Sequence, residues 1–185
     1  MTECLFLIDV GVPMIFPALP VMLVALLPII VIEALVLRQY LTIPLSKAGE
    51  ASGLANLAST FIGVPMTWVT LVAAQLLTGG GRAFGLKTLA DKFLAVTWQT
   101  PWLIPYERNL YWMIPTAALV LLVPFFFVSW YLEYLVAGRI LKDFDAKKTK
   151  RAVAYANLTS YALLALYLVI VLATSNPPNT EPIPV

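Results

Sequence analysis

Apolar residues dominate this chain in long blocks broken only at a few points, and those breaks define its elements. From about 13 to 37 the chain is apolar except for Glu33. At a rise of ~1.5 Å per residue that length crosses a hydrocarbon core of ~30 Å. Arg38-Gln39-Tyr40 marks the exit into head groups, and Pro44 and Ser46 read as a turn with Ser46 as N-cap of the next helix. A second block follows, its membrane part predicted over 53–78 and ended by Gly79-Gly80-Gly81. The third and fourth blocks are predicted over 111–136 and 152–174, with Asp145 as N-cap before the fourth. Pro28, Pro65 and Pro124 fall inside the first three blocks, where each is expected to kink its helix.

The connection between the second and third blocks has a period of its own. Leu86, Leu89, Ala90, Phe93 and Leu94 recur at helical spacing, with Lys87, Asp91 and Lys92 opposite. This pattern predicts an amphipathic helix lying in the membrane interface. Trp98, Trp102, Tyr106, Tyr111 and Trp112 come next, interrupted by Pro101 and Pro105. Rings at this density suit an aromatic belt at head-group level. A base- or sugar-stacking platform is disfavoured, because neither a basic groove nor a cluster of acids accompanies them.

Two stretches repeat one another. The first contains Glu33-Ala-Leu-Val, Arg38 and Ala55-Asn56-Leu57-Ala58-Ser59; the second contains Glu133-Tyr-Leu-Val, Arg139 and Ala156-Asn157-Leu158-Thr159-Ser160. Glutamate and asparagine are separated by 23 positions in one and 24 in the other, so one inserted residue aligns the two. The expected architecture is therefore an all-α integral membrane protein of four transmembrane helices, arranged as two similar hairpins by internal duplication, with repeat units of about 14–78 and 113–174. Residues 1–174 form a single domain in this reading, and 175–185, rich in proline, form an extended tail.

Composition places the chain in lipid: 61% of its 185 residues are hydrophobic and 12% charged, and its mean hydropathy is +0.86. The formal charge of +2 gives no reason to expect a nucleic-acid partner. Residues 1–37 carry no lysine or arginine, so this stretch lacks the basic start of a secretory signal and is expected to be retained. Cys4 is the single cysteine, which excludes an intrachain disulfide, and it lies too near Met1 to follow the apolar region of a lipoprotein signal. The charges orient the bundle. Arg38 and Lys47 in the first loop, with Arg139, Lys142, Lys147, Lys148, Lys150 and Arg151 in the third, predict that these two loops are cytoplasmic and both termini lie opposite. Lys142, Lys147, Lys148, Lys150 and Arg151 are candidate contacts for anionic lipid.

Candidate chemistry centres on the repeated polar residues. Counted from the turns, Glu33, Asn56 and Ser59 fall at the same depth as Glu133, Asn157 and Ser160, and form a buried polar layer near the cytoplasmic end of the hydrocarbon. A carboxylate there needs partners. It can take hydrogen bonds from Asn56, Asn157 and nearby hydroxyls, or pair with Arg38 and Arg139, and so fix helix packing. Alternatively the carboxylates form an ion or proton site in a small transporter or channel, a design in which repeats bracket a polar site. Their distance from the midplane, and the absence of further ionisable residues across the span, weigh against transport. The chain has no histidine and no phosphate loop or metal-ligand spacing, so no catalytic residue, cofactor or metal is expected. Head-group chemistry on lipid is the one enzymatic role left open. The expectation is a non-catalytic accessory, assembly or structural component of a larger membrane complex, with the lipid bilayer and other membrane proteins, or a second copy, as partners.

Overall fold

The computed structural model describes residues 15–78, 85–97 and 109–175. Cys4, the 1–12 segment, Trp98, Trp102, Tyr106 and the tail beyond Ser175 lie outside the described residues. The fold is all-helical, with no strand among those residues: α1 (Ile15–Leu41), α2 (Leu45–Thr78), α3 (Leu89–Thr97), α4 (Leu110–Ile140) and α5 (Ala146–Thr174). Three helical stretches, Leu23–Leu41, Leu110–Ile140 and Ala146–Thr174, are long and apolar enough to cross a membrane. The 34-residue α2 has a different start, with Lys47 and Glu50 in its first two turns.

Tight turns join α1 to α2 and α4 to α5. In the first, α1 closes with Ile43 N–H donating to Arg38 O at 3.3 Å across Thr42, whose φ of 57° is left-handed. This is a Schellman-type ending that normally favours glycine. The helix that follows starts one residue before Ser46, and Ala48 N–H donates to Pro44 O at 3.0 Å. Ser46 is thus inside the first turn of α2 and is not its N-cap, because Pro44 already supplies the carbonyl that opens the helix. In the second turn Asp145 is the cap: its side chain accepts from Lys148 N–H at 2.7 Å. Lys47 bridges the two turns, 3.3 Å from Asp143 and over the ring of Phe144.

Both turns therefore lie at one end of the bundle, and α1 and α4 run towards it while α2 and α5 run away. Each long helix packs on two others: α1 on α2 and α5, and α4 on the same two. Neighbours are antiparallel, and α1 faces α4 across the diagonal. The turn end is closely packed around small residues, with Ala34, Ala48, Ala51, Ala55, Ala137, Ala152 and Ala156 buried among Leu37, Leu41, Ile43, Leu141 and Val153. Alanine allows helix backbones to approach, which in lipid strengthens van der Waals packing and brings short polar side chains within reach of the next helix. The opposite half is looser. No residue of α4 from 118 to 132, nor any of α5 beyond Ser160, is fully buried.

The short α3 packs on the outer end of α4 through Ala95, Val96, Met113 and Ala117. It begins at Leu89, three residues later than the apolar period that starts with Leu86. A reciprocal cap fixes that start: Thr88 N–H donates to Asp91 Oδ2, and Asp91 N–H donates to Thr88 Oγ1, both at 3.1 Å. Leu89 and Phe93 are left exposed, while Leu86 packs against the cluster from outside the helix.

Candidate functional site

A layer of six polar side chains lies just above the alanine-rich packing. Glu33 sits eight residues before Leu41 and Glu133 eight before Leu141; Asn56 lies eleven residues into α2 and Asn157 eleven into α5. At a common rise per residue these offsets bring the four to one level. All are buried: Glu33 is 2% exposed, Glu133 3%, Asn56 4% and Asn157 0%, with Ser59 and Ser160 beside them at 5% and 1%.

Within each hairpin, asparagine donates to the glutamate of the partner helix. Asn56 Nδ2 reaches Glu33 Oε2 at 2.6 Å, and Asn157 Nδ2 reaches Glu133 Oε2 at 2.6 Å. Each amide also donates to the backbone carbonyl one turn earlier on its own helix, Ser52 O at 3.0 Å and Val153 O at 3.2 Å. This second bond fixes the side chain's direction, so the amide reaches the carboxylate already oriented.

The serines act between hairpins. Ser160 on α5 donates to Glu33 Oε1 at 2.6 Å, and Ser59 on α2 donates to Glu133 Oε1 at 2.9 Å. The pattern follows from helix geometry. Asn56 and Ser59, like Asn157 and Ser160, are three residues apart and so about 60° apart around their helix. One side chain then points to the helix of its own hairpin and the other to the helix of the opposite hairpin. All four carboxylate oxygens accept a side-chain hydrogen bond, and these bonds set Glu33 and Glu133 in one layer, linked through Asn56 and Ser59 of α2 and Asn157 and Ser160 of α5.

The arginines do not take the role that their position beside the glutamates suggested. Arg38 and Arg139 are exposed, and Arg139 Nη1 donates to Leu135 O at 3.0 Å on its own helix. Both arginines lie more than a turn nearer the tight turns, where a long side chain keeps its charge in water. Lys142, Lys147, Lys148, Lys150 and Arg151 are likewise exposed around the second turn. Among them Lys150 is held over the rings of Trp130 and Tyr134, at 5.3 and 5.8 Å, while Trp130 Nε1 donates to Lys150 O at 3.5 Å.

Three polar groups near the layer escaped the sequence reading. Ser52 donates to Ile30 O at 3.0 Å; its signal was its position one turn before Asn56. Tyr161 donates to Ser129 Oγ at 2.9 Å, bonding α5 to α4 beyond the layer. Thr149 Oγ1 is buried without a hydrogen-bond partner. Among the described residues no group of three or more His, Cys, Asp or Glu is placed to hold a metal ion.

The fold and this layer define a helical protein of membrane type, centred on two buried carboxyl groups held by amides and hydroxyls. Compared with protein-family models, curated proteins and solved structures, the chain matches none.

Proposed function

We propose that this chain is a non-catalytic, multi-pass membrane protein that serves as an accessory, assembly or structural component of a larger membrane complex. In this reading α2 also crosses the bilayer, giving four spans, and the two hairpins are copies of one duplicated unit. The short α3 lies in the interface, with Leu89 and Phe93 towards lipid. The basic turns face the cytoplasm with both termini opposite, by the distribution of lysine and arginine, and Lys142, Lys147, Lys148, Lys150 and Arg151 meet anionic head groups.

The observation that carries this reading is that every oxygen of the two buried carboxylates already accepts a bond from a neighbouring helix. A layer filled in this way acts as a clamp between helices. It holds the turn ends of both hairpins together and leaves broad apolar faces, such as Phe61, Ile62, Leu166 and Tyr167, for lipid or for partner helices. The rival is a small proton- or ion-coupled transporter, favoured by one observation, the meeting of Glu33 and Glu133 at the bundle centre.

The test purifies the full-length chain with its companions after cross-linking in native membranes, and reconstitutes it alone for flux. A defined set of stoichiometric partners and no flux supports the component reading. Proton- or ion-coupled flux that disappears in Glu33→Gln and Glu133→Gln, with helix content intact, overturns it. A cysteine replacing Lys148 should resist an impermeant thiol reagent added outside intact cells; labelling there reverses the orientation.

A further inference from the structure

We infer that the Glu33–Glu133 pair is a proton-binding site that holds one resident proton, shared between the two carboxyl groups, as a structural part of the bundle. The inference rests on the geometry of the layer and not on membership of any complex.

Charge is the first argument. Two carboxylates at 2% and 3% exposure share one hydrogen-bonded layer that holds no cation among the described residues. Burying one unpaired charge is costly, and a second like charge against it adds Coulomb repulsion in a medium that screens poorly. Among the described residues the ion pair is Lys47–Asp143, at the turns. The other titratable or charged groups on the surrounding helices leave the pair uncompensated. Arg38 on α1 and Arg139 on α4 are exposed, Lys47 and Glu50 belong to the first turns of α2, and the basic residues of α5 lie at its start. Tyr161 on α5, one residue beyond Ser160, gives its hydroxyl hydrogen to Ser129.

Hydrogen accounting is the second argument. Asn56 and Asn157 each divide their two amide hydrogens between a glutamate and a backbone carbonyl. Ser59 and Ser160 each have one hydroxyl hydrogen, directed to a carboxylate and shared with the carbonyl of the asparagine three residues before. Every donor hydrogen on these four side chains is therefore committed. An ionised carboxylate only accepts, so two of them in one layer add acceptors and no donor. Asn157 Oδ1, on a side chain with 0% exposure, remains an acceptor with no donor. The layer thus lacks a donor. One proton on the pair provides that donor and removes one unit of buried charge, and the resulting O–H has the opposite carboxylate, or Asn157 Oδ1, to accept it. A metal cation fits less well, because each carboxylate oxygen already points a lone pair at an amide or hydroxyl hydrogen.

The experiment is infrared spectroscopy of the full-length chain in lipid nanodiscs at neutral pH. The expected result is one protonated carboxylic C=O band above the amide I region, shifted by glutamate labelled with carbon-13 at the carboxyl. It should be lost in both Glu33→Gln and Glu133→Gln, since the remaining carboxylate then receives an amide donor and stands alone. Absence of the band from the wild type overturns the inference. So does its persistence in both variants, which would place the proton on another acid. If one variant fails to fold, the other decides, loss of the band supporting the inference and its persistence overturning it. If both fail, Glu33→Asp and Glu133→Asp, which keep the carboxyl, should each retain a protonated band with a reduced response to the carbon-13 glutamate label, and an undiminished response in both overturns it. A Tm in wild type that rises in sodium or potassium relative to choline, with no carboxylic band, would assign the site to a metal cation instead and also overturns the inference.

Discussion

The bond between Ser160 and Glu33 joins residues 127 positions apart and ties the second hairpin to the first, so Ser160→Ala isolates the contact on which the clamp depends. The donor and acceptor are 1% and 2% exposed and 2.6 Å apart. Hydrogen bonds to charged groups contribute about 1.5–3 kcal/mol in soluble proteins. Between membrane helices, measured couplings average about 0.6 kcal/mol and reach about 1.7. Length and burial put this contact near the top of the membrane range, and truncation also leaves Glu33 Oε1 without its donor. Ser160→Ala should therefore cost about 2 kcal/mol, and its coupling to Glu33→Ala, which removes the acceptor, in a double-mutant cycle should be about 1.5 kcal/mol. The assay is reversible unfolding in mild detergent titrated with a denaturing detergent and followed by far-ultraviolet circular dichroism. Thr70→Ala, a surface change on α2, serves as the additive control. A Ser160–Glu33 coupling below about 0.5 kcal/mol, the scatter expected for independent sites, refutes the cross-hairpin bond.

The remaining expectations concern backbone, packing and capping. Thr42 is a branched residue at φ 57°, a conformation that costs L-residues roughly 1–2 kcal/mol, so Thr42→Gly should raise stability by about 1 kcal/mol in the same assay; a loss would show that its side chain outweighs the strain. A Cβ on Gly63 would meet Val128 Cγ1 at 3.5 Å and Leu132 Cδ1 at 3.8 Å, ordinary contact distances. Gly63→Ala should accordingly be near neutral by Tm, whereas Gly63→Leu should force α2 from α4 and cost about 1–3 kcal/mol; equal tolerance of both would mean that the two helices do not touch there. The Thr88 hydroxyl, then the Thr88 backbone N–H, hold the Asp91 carboxyl below its ordinary pKa of 3.8. The folded value is depressed, so the cap is complete above 3.8 and is lost as pH falls through the lowered value. The Thr88 amide resonance should titrate with a midpoint below 3.8, and a midpoint at or above it would break the assignment.

Much of the layer was legible because long apolar blocks make polar residues conspicuous. Glu33 and Glu133 interrupt apolar blocks, and Asn56 and Asn157 follow them at matching distances across a turn, so same-level placement could be read from offsets alone. Ser52 and Thr149 were less legible because the two hairpins differ there: Val153 stands opposite Ser52, and Ala48 opposite Thr149, when Asn56 is aligned with Asn157. The start of α3 has a local cause. Apolar period extends back to Leu86, but the Thr88–Asp91 exchange of hydrogen bonds stops the helix at Leu89.

By itself the sequence determined the helical class and the long apolar blocks and singled out six polar side chains within them, since hydropathy and turn-to-residue counts are properties of a single chain. It left open which donor meets which carboxylate. Arginine, amide and hydroxyl were all in reach along the chain, and only the ring order of the helices selected among them. With α1 packed on α2 and α5, and α4 on the same pair, Glu33 takes its amide from Asn56 but its hydroxyl from Ser160, and Glu133 takes Asn157 and Ser59. The diagonal placement of α1 and α4 also brings the two carboxyl groups together at the centre. Helix packing around the axis decides that meeting, because partners across a bundle lie at no fixed separation along the chain.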